Sequence, residues 1–382
     1  MKGDFTRSPF ASQKHYSRVL QQQGRVSLDA DWNEAQDIAL HRDQTEALDT
    51  IGRSGAPLHC AGFHIVADAG GLSLDEQTLP GNQNPPAGAA LLISAGRYYV
   101  DGVLTQNEHI TAIDQQDDLP PKGATPLLTL LNGDTRALPL PAGNFIAYLD
   151  VWQRHITALD DGLLREKALG GPDTATRSKT VWQVRLLEVP AATACSTPAA
   201  AWDALTAPST GMLEARARPV ESNTPCSIAP GGGYRRIENQ LYRVEIHAPG
   251  TLGAATFKWS RDNGSVVTRW LGKGAGANDL LVENAGRDAV LRFASGQWVE
   301  LIDDALELAG KPGVLVRLAN AVGNTLTMED PTVDGNAVPV GAINFSDFHT
   351  HPKVRRWESA GPLAVRVNKQ GSALVNDGFL EL

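Results

Sequence analysis

"TFKWSRDNGSVVTRWL", Thr256 to Leu271, alternates apolar and polar residues on both sides of Asn263-Gly264. Alternation at period two marks a strand with one buried face, and Asn-Gly favours the left-handed backbone of a tight hairpin turn. The expectation is a β-hairpin. The pattern spreads outward through "QLYRVEIHA" (240–248), "DAVLRF" (288–293), "QWVELID" (297–303), "GVLVRLA" (313–319) and "NTLTMED" (324–330). Short strands at such even spacing predict a sandwich or barrel.

A second β region lies further upstream. "LLISAGRYYVDGVLTQN" (91–107) holds a strand, a turn at Gly96, and a hairpin closed by Asp101-Gly102. "FIAYLDVWQRHITAL" (145–159) and "KTVWQVRLLEV" (179–189) are long alternating strands, and the residues between them are too many for a turn, so an ordered excursion is expected. Residues 190–235, rich in Ala, Pro, Thr and Gly, read as a linker or irregular connection. The reading is a mainly β chain with an N-terminal arm and helix and two β-sandwich or barrel-like regions. Its expected divisions are 1–56 (arm and helix, for anchoring and assembly), 57–190 (first β domain), 191–235 (connection) and 236–382 (second β domain, continuing past the given chain).

Composition agrees. The chain has 382 residues, with 37 Gly and 23 Pro, and carries a formal charge of −9. Length favours more than one core. Dispersed acidity argues against a nucleic-acid partner, which needs a concentrated basic face. No apolar run is long enough to cross a membrane, and "MKGDFTRSPFASQKHYSRVL" lacks an apolar export core. Synthesis in the cytoplasm without a signal peptide is expected. Cys60, Cys195 and Cys226 lack zinc spacing and read as free thiols, with a Cys195–Cys226 pair as the alternative.

"QGRVSLDADWNEAQ" (23–36) has the look of a calcium loop, with Asp29, Asp31 and Asn33 at alternate positions. Such a loop counted from Asp29 needs Gly at its sixth position and Glu at its twelfth. Glu34 and Leu40 stand there instead. The stretch therefore reads as a helix start, capped by Asp29 or Asp31 and running to Ile51 before "GRSGAP". At about 100° per residue Trp32, Ala35, Ala39, Leu40, Ala47 and Ile51 share one arc, with Ile38 and Leu48 outside it. Trp32, Ala35, Ile38, Ala39, Leu40, Leu48 and Ile51 are the expected assembly and packing residues. Trp32→Ala is expected to cost about 3–5 kcal/mol of stability or binding.

Other motifs carry less. "GKGAGA" (272–277) fits a dinucleotide pattern in form, but no helical periodicity follows, so a β–β loop is expected. His349-Thr350-His351, if on a strand, would point both imidazoles to one side, and three such strands about a threefold axis would offer six nitrogens to one iron. The competing reading is a polar turn before Pro352. Asp160-Asp161 and Asp303-Asp304 invite a glycosidase reading, yet adjacent carboxylates usually sit in solvated turns. No nucleophile elbow, P-loop or His-Glu-x-x-His motif occurs in the sequence. No catalytic residue and no cofactor is expected. Trp152, Trp182, Trp259, Trp270 and Trp298 read as core pillars rather than sugar platforms.

Several segments together resemble a family of bacterial and phage-associated proteins found among tail, baseplate and contractile-injection genes. They are "MKGDFTR", "KHYSRVLQQQGRVSLDADWNEAQDIALHR", "YLDVWQRHITAL", "ALGGPDTATRSKTVWQV" and "ENQLYRVEIH" with "TFKWSRDNGSVV". The resemblance implies a non-enzymatic structural subunit of such a particle (baseplate, fibre or adaptor type), assembling with itself and with other subunits. The alternative is a carbohydrate-binding or carbohydrate-cleaving receptor protein of the particle, with a cell-surface glycan as ligand. At the other end, "AVRVNKQGSALVNDGFLEL" (364–382) stops on alternating apolar residues. Either the native polypeptide runs on past Leu382 or this strand pairs with another subunit.

Overall fold

The computed structural model describes residues 1–120, 143–191, 193–194, 200–209, 216–217, 241–251, 254–286, 291–329, 332–333, 336–337, 343–362, 366–367, 373–374 and 380–381. The chain is mainly β, with one long N-terminal helix. It divides into two compact units: Met1 with Ser8–Pro208, and Lys2–Arg7 with Ser209–Leu382. The helix belongs to the first unit, while residues 2–7 belong to the second.

In the first unit, helix α1 spans Asp29–Ile51. Its N-cap is Leu28, which makes no side-chain cap, so Asp29 and Asp31 are not the caps expected of them. They lie in the first turn, where carboxylates favour the positive end of the helix dipole. Gly52, at φ 91°, closes the helix by donating its N–H to the Leu48 carbonyl. Short strands β1 (Ser54–Gly55), β2 (Ile65–Val66), β3 (Leu92–Ile93), β4 (Gly96–Val100), β5 (Val103–Asn107) and β6 (Thr111–Ala112) follow. They form two antiparallel sheets in the orders β1-β4-β5 and β2-β3-β6. Helix α2 (Leu74–Gln77), held by a capping box between Ser73 and Glu76, lies in the loop between β2 and β3.

Strands β7 (Asn144–Ile156) and β8 (Arg177–Val189) pair along their whole length, Asn144 opposite Val189 and Ile156 opposite Arg177. The excursion between them is ordered, with two 3-10 turns (Gly162–Leu164 and Lys167–Leu169) and a bridge from Arg165 to Asp173. Ile93, Ile113 and Val184 form one buried cluster, with Phe63, Leu149 and Trp182 packed against them, and Leu72, Leu92 and Ile110 form another. The Gln116 amide joins two of these segments, donating to the Ile113 and Val184 carbonyls at 2.7 and 3.0 Å. A short helix α3 (Ala200–Thr206) follows, with Trp202 set edge-on to Tyr148.

The second unit contains β9 (Arg216–Ala217), β10 (Arg243–Ala248), β11 (Thr256–Ser260), β12 (Val267–Lys273), β13 (Asp279–Val282), β14 (Trp298–Ile302), helix α4 (Asp304–Leu308), β15 (Val314–Val322), β16 (Thr325–Met328), β17 (Thr332–Val333), β18 (Asn336–Ala337), β19 (Lys353–Trp357) and β20 (Ser359–Pro362). Six strands close a barrel in the order β12-β13-β16-β15-β14-β19, and β10-β11-β20 make a separate sheet. Register puts Val299, Leu301, Val314, Val316 and Val354 on one face, all nearly or wholly buried. The opposite face carries Glu300 beside Arg355 and Trp298 beside Trp357.

Asn263 and Gly264 do adopt left-handed turn backbone, at φ 51° and 65°. Their flanking strands do not pair, contrary to the hairpin expected: β11 goes to the three-stranded sheet and β12 to the barrel. The turn is held instead by long-range polar contacts, with Arg261 on Glu358 and Asp262 on Arg356. "DAVLRF" is not a strand over its described part, Leu291–Phe293, where Phe293 is simply buried. "GKGAGA" is the β12–β13 connection, as expected, with the Gly276 N–H on the Asp279 carboxylate. Near the end, β21 (Arg366–Val367) pairs with β22 (Ala373–Leu374), and β23 (Leu380–Glu381) pairs with β9 of the same chain. One edge of that last strand is thus paired within its own chain. Leu382, Cys195 and Cys226 lie outside the described residues, while Cys60 is free and half-buried.

Gly102 links α1 to the β4–β5 hairpin. Its φ is +79°, and a Cβ there would run into the Gln44 backbone carbonyl of α1. Gly102→Ala is expected to cost about 1–3 kcal/mol from backbone strain alone, read by urea unfolding. An unchanged midpoint would contradict the packing of α1 on this turn.

Candidate functional site: a buried ammonium socket

The most concentrated chemistry within one unit surrounds Glu300. Strand β14 places this carboxylate at 0% exposure, against Lys258 of β11 at 2%. Lys258 Nζ donates to Glu300 Oε1 at 2.6 Å. The Gly313 N–H donates to the same oxygen and the Trp357 indole N–H to Oε2, both at 2.9 Å. Lys258 Nζ also lies 4.6 Å from the centre of the Trp357 ring, a cation–π distance.

The N-terminal segment completes the cluster. Lys2 Nζ stands 3.4 Å from Glu245 and 5.6 Å from the Trp357 ring centre. Gly3 is buried, and its carbonyl accepts from the Asn263 side-chain amide at 2.9 Å. Arg243 pairs with Glu245 on β10 and reaches the Asn263 side-chain oxygen. Lys2, Arg243, Glu245, Lys258 and Glu300 thus form one network of alternating charge around Trp357.

The titrations follow. Burial opposes ionisation of Glu300, but Lys258 and Lys2, with hydrogen bonds from Lys258 and Gly313, hold its carboxyl well below the usual range. Glu245 is likewise burdened by burial and still lowered, by Lys2, Lys258 and Arg243. Lys2 is shifted down, because burial outweighs the attraction of Glu300 and Glu245. A carboxylate so fully hydrogen-bonded has little capacity left for proton transfer. What the arrangement does is seat ammonium groups against carboxylates and an indole. It fastens residues 2–7 to the barrel unit.

A second polar bracket sits at α4. Asp303 caps this helix through the Leu306 N–H at 3.0 Å and also accepts from the His349 N–H at 3.0 Å. Burial pushes the Asp303 carboxyl upward. Asp304 holds His351 Nδ1 at 2.7 Å and Lys353 Nζ at 3.2 Å. Asp303 and Asp304 are therefore buried tethers rather than solvated turn residues, whereas Asp161 does cap the turn at Leu163. His349 and His351 precede β19 in a turn, with His351 at φ 47°, so they do not share one side of a strand. His349 is exposed, and His351 is turned to Asp304. The polar-turn reading of this stretch fits, and the paired-imidazole arrangement does not.

The helix residues expected to pack fall differently. Trp32 is 70% exposed and Leu40 42%, with Ala39, Leu48 and Ile51 also exposed and Ala35 half-buried. Ile38, outside the apolar arc, is the buried one, together with Ala30. The arc points outward. Trp32 is therefore not a stability pillar of the single chain. Of the other tryptophans, Trp259 and Trp270 are buried as expected, and Trp152, Trp182 and Trp298 are half-buried. Sequence reasoning missed Lys2, Lys258, Glu300 and Trp357: Lys258 and Glu300 alternate with Phe257/Trp259 and Val299/Leu301, at positions where a strand with one buried face turns its side chains to solvent.

A family model matches residues 1–210 and again 194–379: the Family of unknown function (DUF6519). The chain belongs to this family. No curated protein and no solved structure matches it. The family match spans both the N-terminal Lys2 segment and the barrel that receives it.

Lys258→Met would leave Glu300 buried without its main counter-charge and is expected to cost about 3–5 kcal/mol at neutral pH. The folded carboxyls of Glu300 and Glu245 titrate below their ordinary value of 4.5. Their contribution is therefore full above about pH 4.5 and is lost as pH falls through the folded values. Accordingly, the stability gap between the parent and Glu300→Gln should narrow between pH 6 and pH 3. A gap independent of pH, by chemical denaturation, would contradict an ionised Glu300.

Proposed function

We propose that the chain is a non-enzymatic structural subunit of a phage-tail or contractile-injection type particle, docking through the arm and helix α1. The observation that carries this reading is the outward apolar arc of α1. A 23-residue helix directs an indole and a leucine into solvent while burying Ala30 and Ile38. An exposed indole is the kind of large, amphipathic side chain that partner surfaces bury. A further feature supports an architectural role: the buried ion network uses its charges to fix the chain's own N-terminal segment. The segments resembling tail and baseplate proteins include the arm and α1 themselves.

On this reading Trp32→Asp changes an exposed residue and leaves the melting temperature of the isolated chain within about 2 °C, as surface substitutions do. Its effect falls on assembly. In native lysates of cells bearing the particle genes, the parent should co-sediment with tail or injection particles and Trp32→Asp should remain in the supernatant. A parent that never co-sediments, or a variant that does so equally, would overturn the reading.

A further inference from the structure

Two adjoining segments carry opposite charge. Residues 7–28 contain four Lys or Arg and no Asp or Glu, whereas α1 contains seven Asp or Glu and a single Arg. Both also expose apolar side chains. On the arm these are Tyr16, Leu20 (68%) and Val26 (81%); on the helix they are Trp32 and Leu40, whose arc also carries Asp43 and Glu46.

The arm stands away from its own helix. The Phe10 ring lies 5.6 Å from the His41 ring, and the chain rejoins the helix at Asp29. The chain from Phe10 to Asp29, with a reach of roughly 60 Å if extended, spans a stretch of helix roughly 18 Å long, and a 3-10 turn at Ser12–Lys14 takes up part of the slack. The excess projects as a loop with a turn at Gln23-Gly24, where Gly24 has φ 72° and the Arg25 N–H meets the Gln22 carbonyl. Every residue from Leu20 to Asp29 is exposed. An extended basic and apolar strap, beside an acidic and apolar face it does not cover, needs a partner with the complementary pair of surfaces. A second copy of this chain has both.

We infer that copies of this chain exchange arms, the basic strap Lys14–Leu28 of one copy lying along the Trp32–Leu40–Asp43–Glu46 face of α1 in another. The inference rests on the assembly reading above and names its partner. Apolar contact between Leu20 or Val26 and Trp32 supplies burial; with Leu20 on Trp32 an extended strap brings Arg25 to Asp43, and with Val26 there it brings Arg18 to Glu46, so a basic side chain meets an acidic one in either direction. Reciprocal exchange closes a pair, and successive exchange gives a ring or filament. Being partly electrostatic and exposed, the contact weakens with salt.

The test is a charge swap on the full-length chain. One variant carries Arg18→Glu with Arg25→Glu, and the other Asp43→Lys with Glu46→Lys; all four side chains are exposed. Sedimentation velocity at low salt should show the parent assembled and each variant alone monomeric, with at least a tenfold weaker self-association. Mixed one to one, the two variants should assemble, because each reversed surface then meets its complement. Circular dichroism matching the parent confirms that both are folded, and a combined variant with all four changes should self-assemble if either single set folds poorly. The inference is overturned if the parent is monomeric, if either variant assembles like the parent, or if both the mixture and the combined variant remain monomeric. Loss of this exchange with Trp32→Asp still blocking co-sedimentation would leave the particle reading standing. If the parent neither self-associates nor co-sediments, both fall.

Discussion

The ion pair between Lys258 and Glu300 is the constraint around which the second unit is organised. A carboxylate at zero exposure is untenable alone, since desolvation of an unpaired charge costs several kcal/mol. It is sustained by Lys258, the Gly313 N–H and the Trp357 indole, which come from three different strand or loop segments. Satisfying Glu300 therefore requires β11, β14, β19 and the start of β15 to be in register at once. Satisfying Glu245 and the Asn263 amide requires the N-terminal segment as well, through Lys2 and the Gly3 carbonyl. Specificity of this kind comes from geometry, whereas the barrel's apolar face supplies the bulk of the burial.

That fastening bears on the rest of the chain. Residues 2–7 are held in the barrel unit, α1 is packed within the other, and the strap between them is left to solvent.

Local features were legible in the sequence. Asp101-Gly102, with φ of 47° and 79°, forms the turn its composition implies, and β7 and β8 pair along the alternation visible in the residues. The helix is where its periodicity puts it, to within two residues at its start. Its orientation was not legible, because an apolar arc shows which residues share a side and not whether that side meets the same chain or another. The Asn263-Gly264 hairpin failed for a related reason: turn chemistry specifies φ at two residues, while strand partners were decided by Arg261, Asp262 and Arg356 meeting carboxylates and cations of distant segments. The socket was invisible for the strongest reason. Lys2, Glu245, Lys258 and Glu300 are separated along the chain; pairing of β10 with β11 sets Glu245 beside Lys258, and only the meeting of that sheet and the N-terminal segment with β14 adds Glu300 and Lys2.

The most direct test of this arrangement is hydrogen exchange by mass spectrometry on the full-length parent and Lys2→Met. If Lys2 completes the network, peptides covering Phe257–Ser260 and Trp298–Ile302 exchange slowly in the parent and at least several-fold faster in the variant. The exposed strap from Tyr16 to Leu28 should exchange at once in the monomer of either protein. Identical protection of Phe257–Ser260 and Trp298–Ile302 with and without the Lys2 ammonium would contradict the claim that the N-terminal segment is locked into the barrel unit.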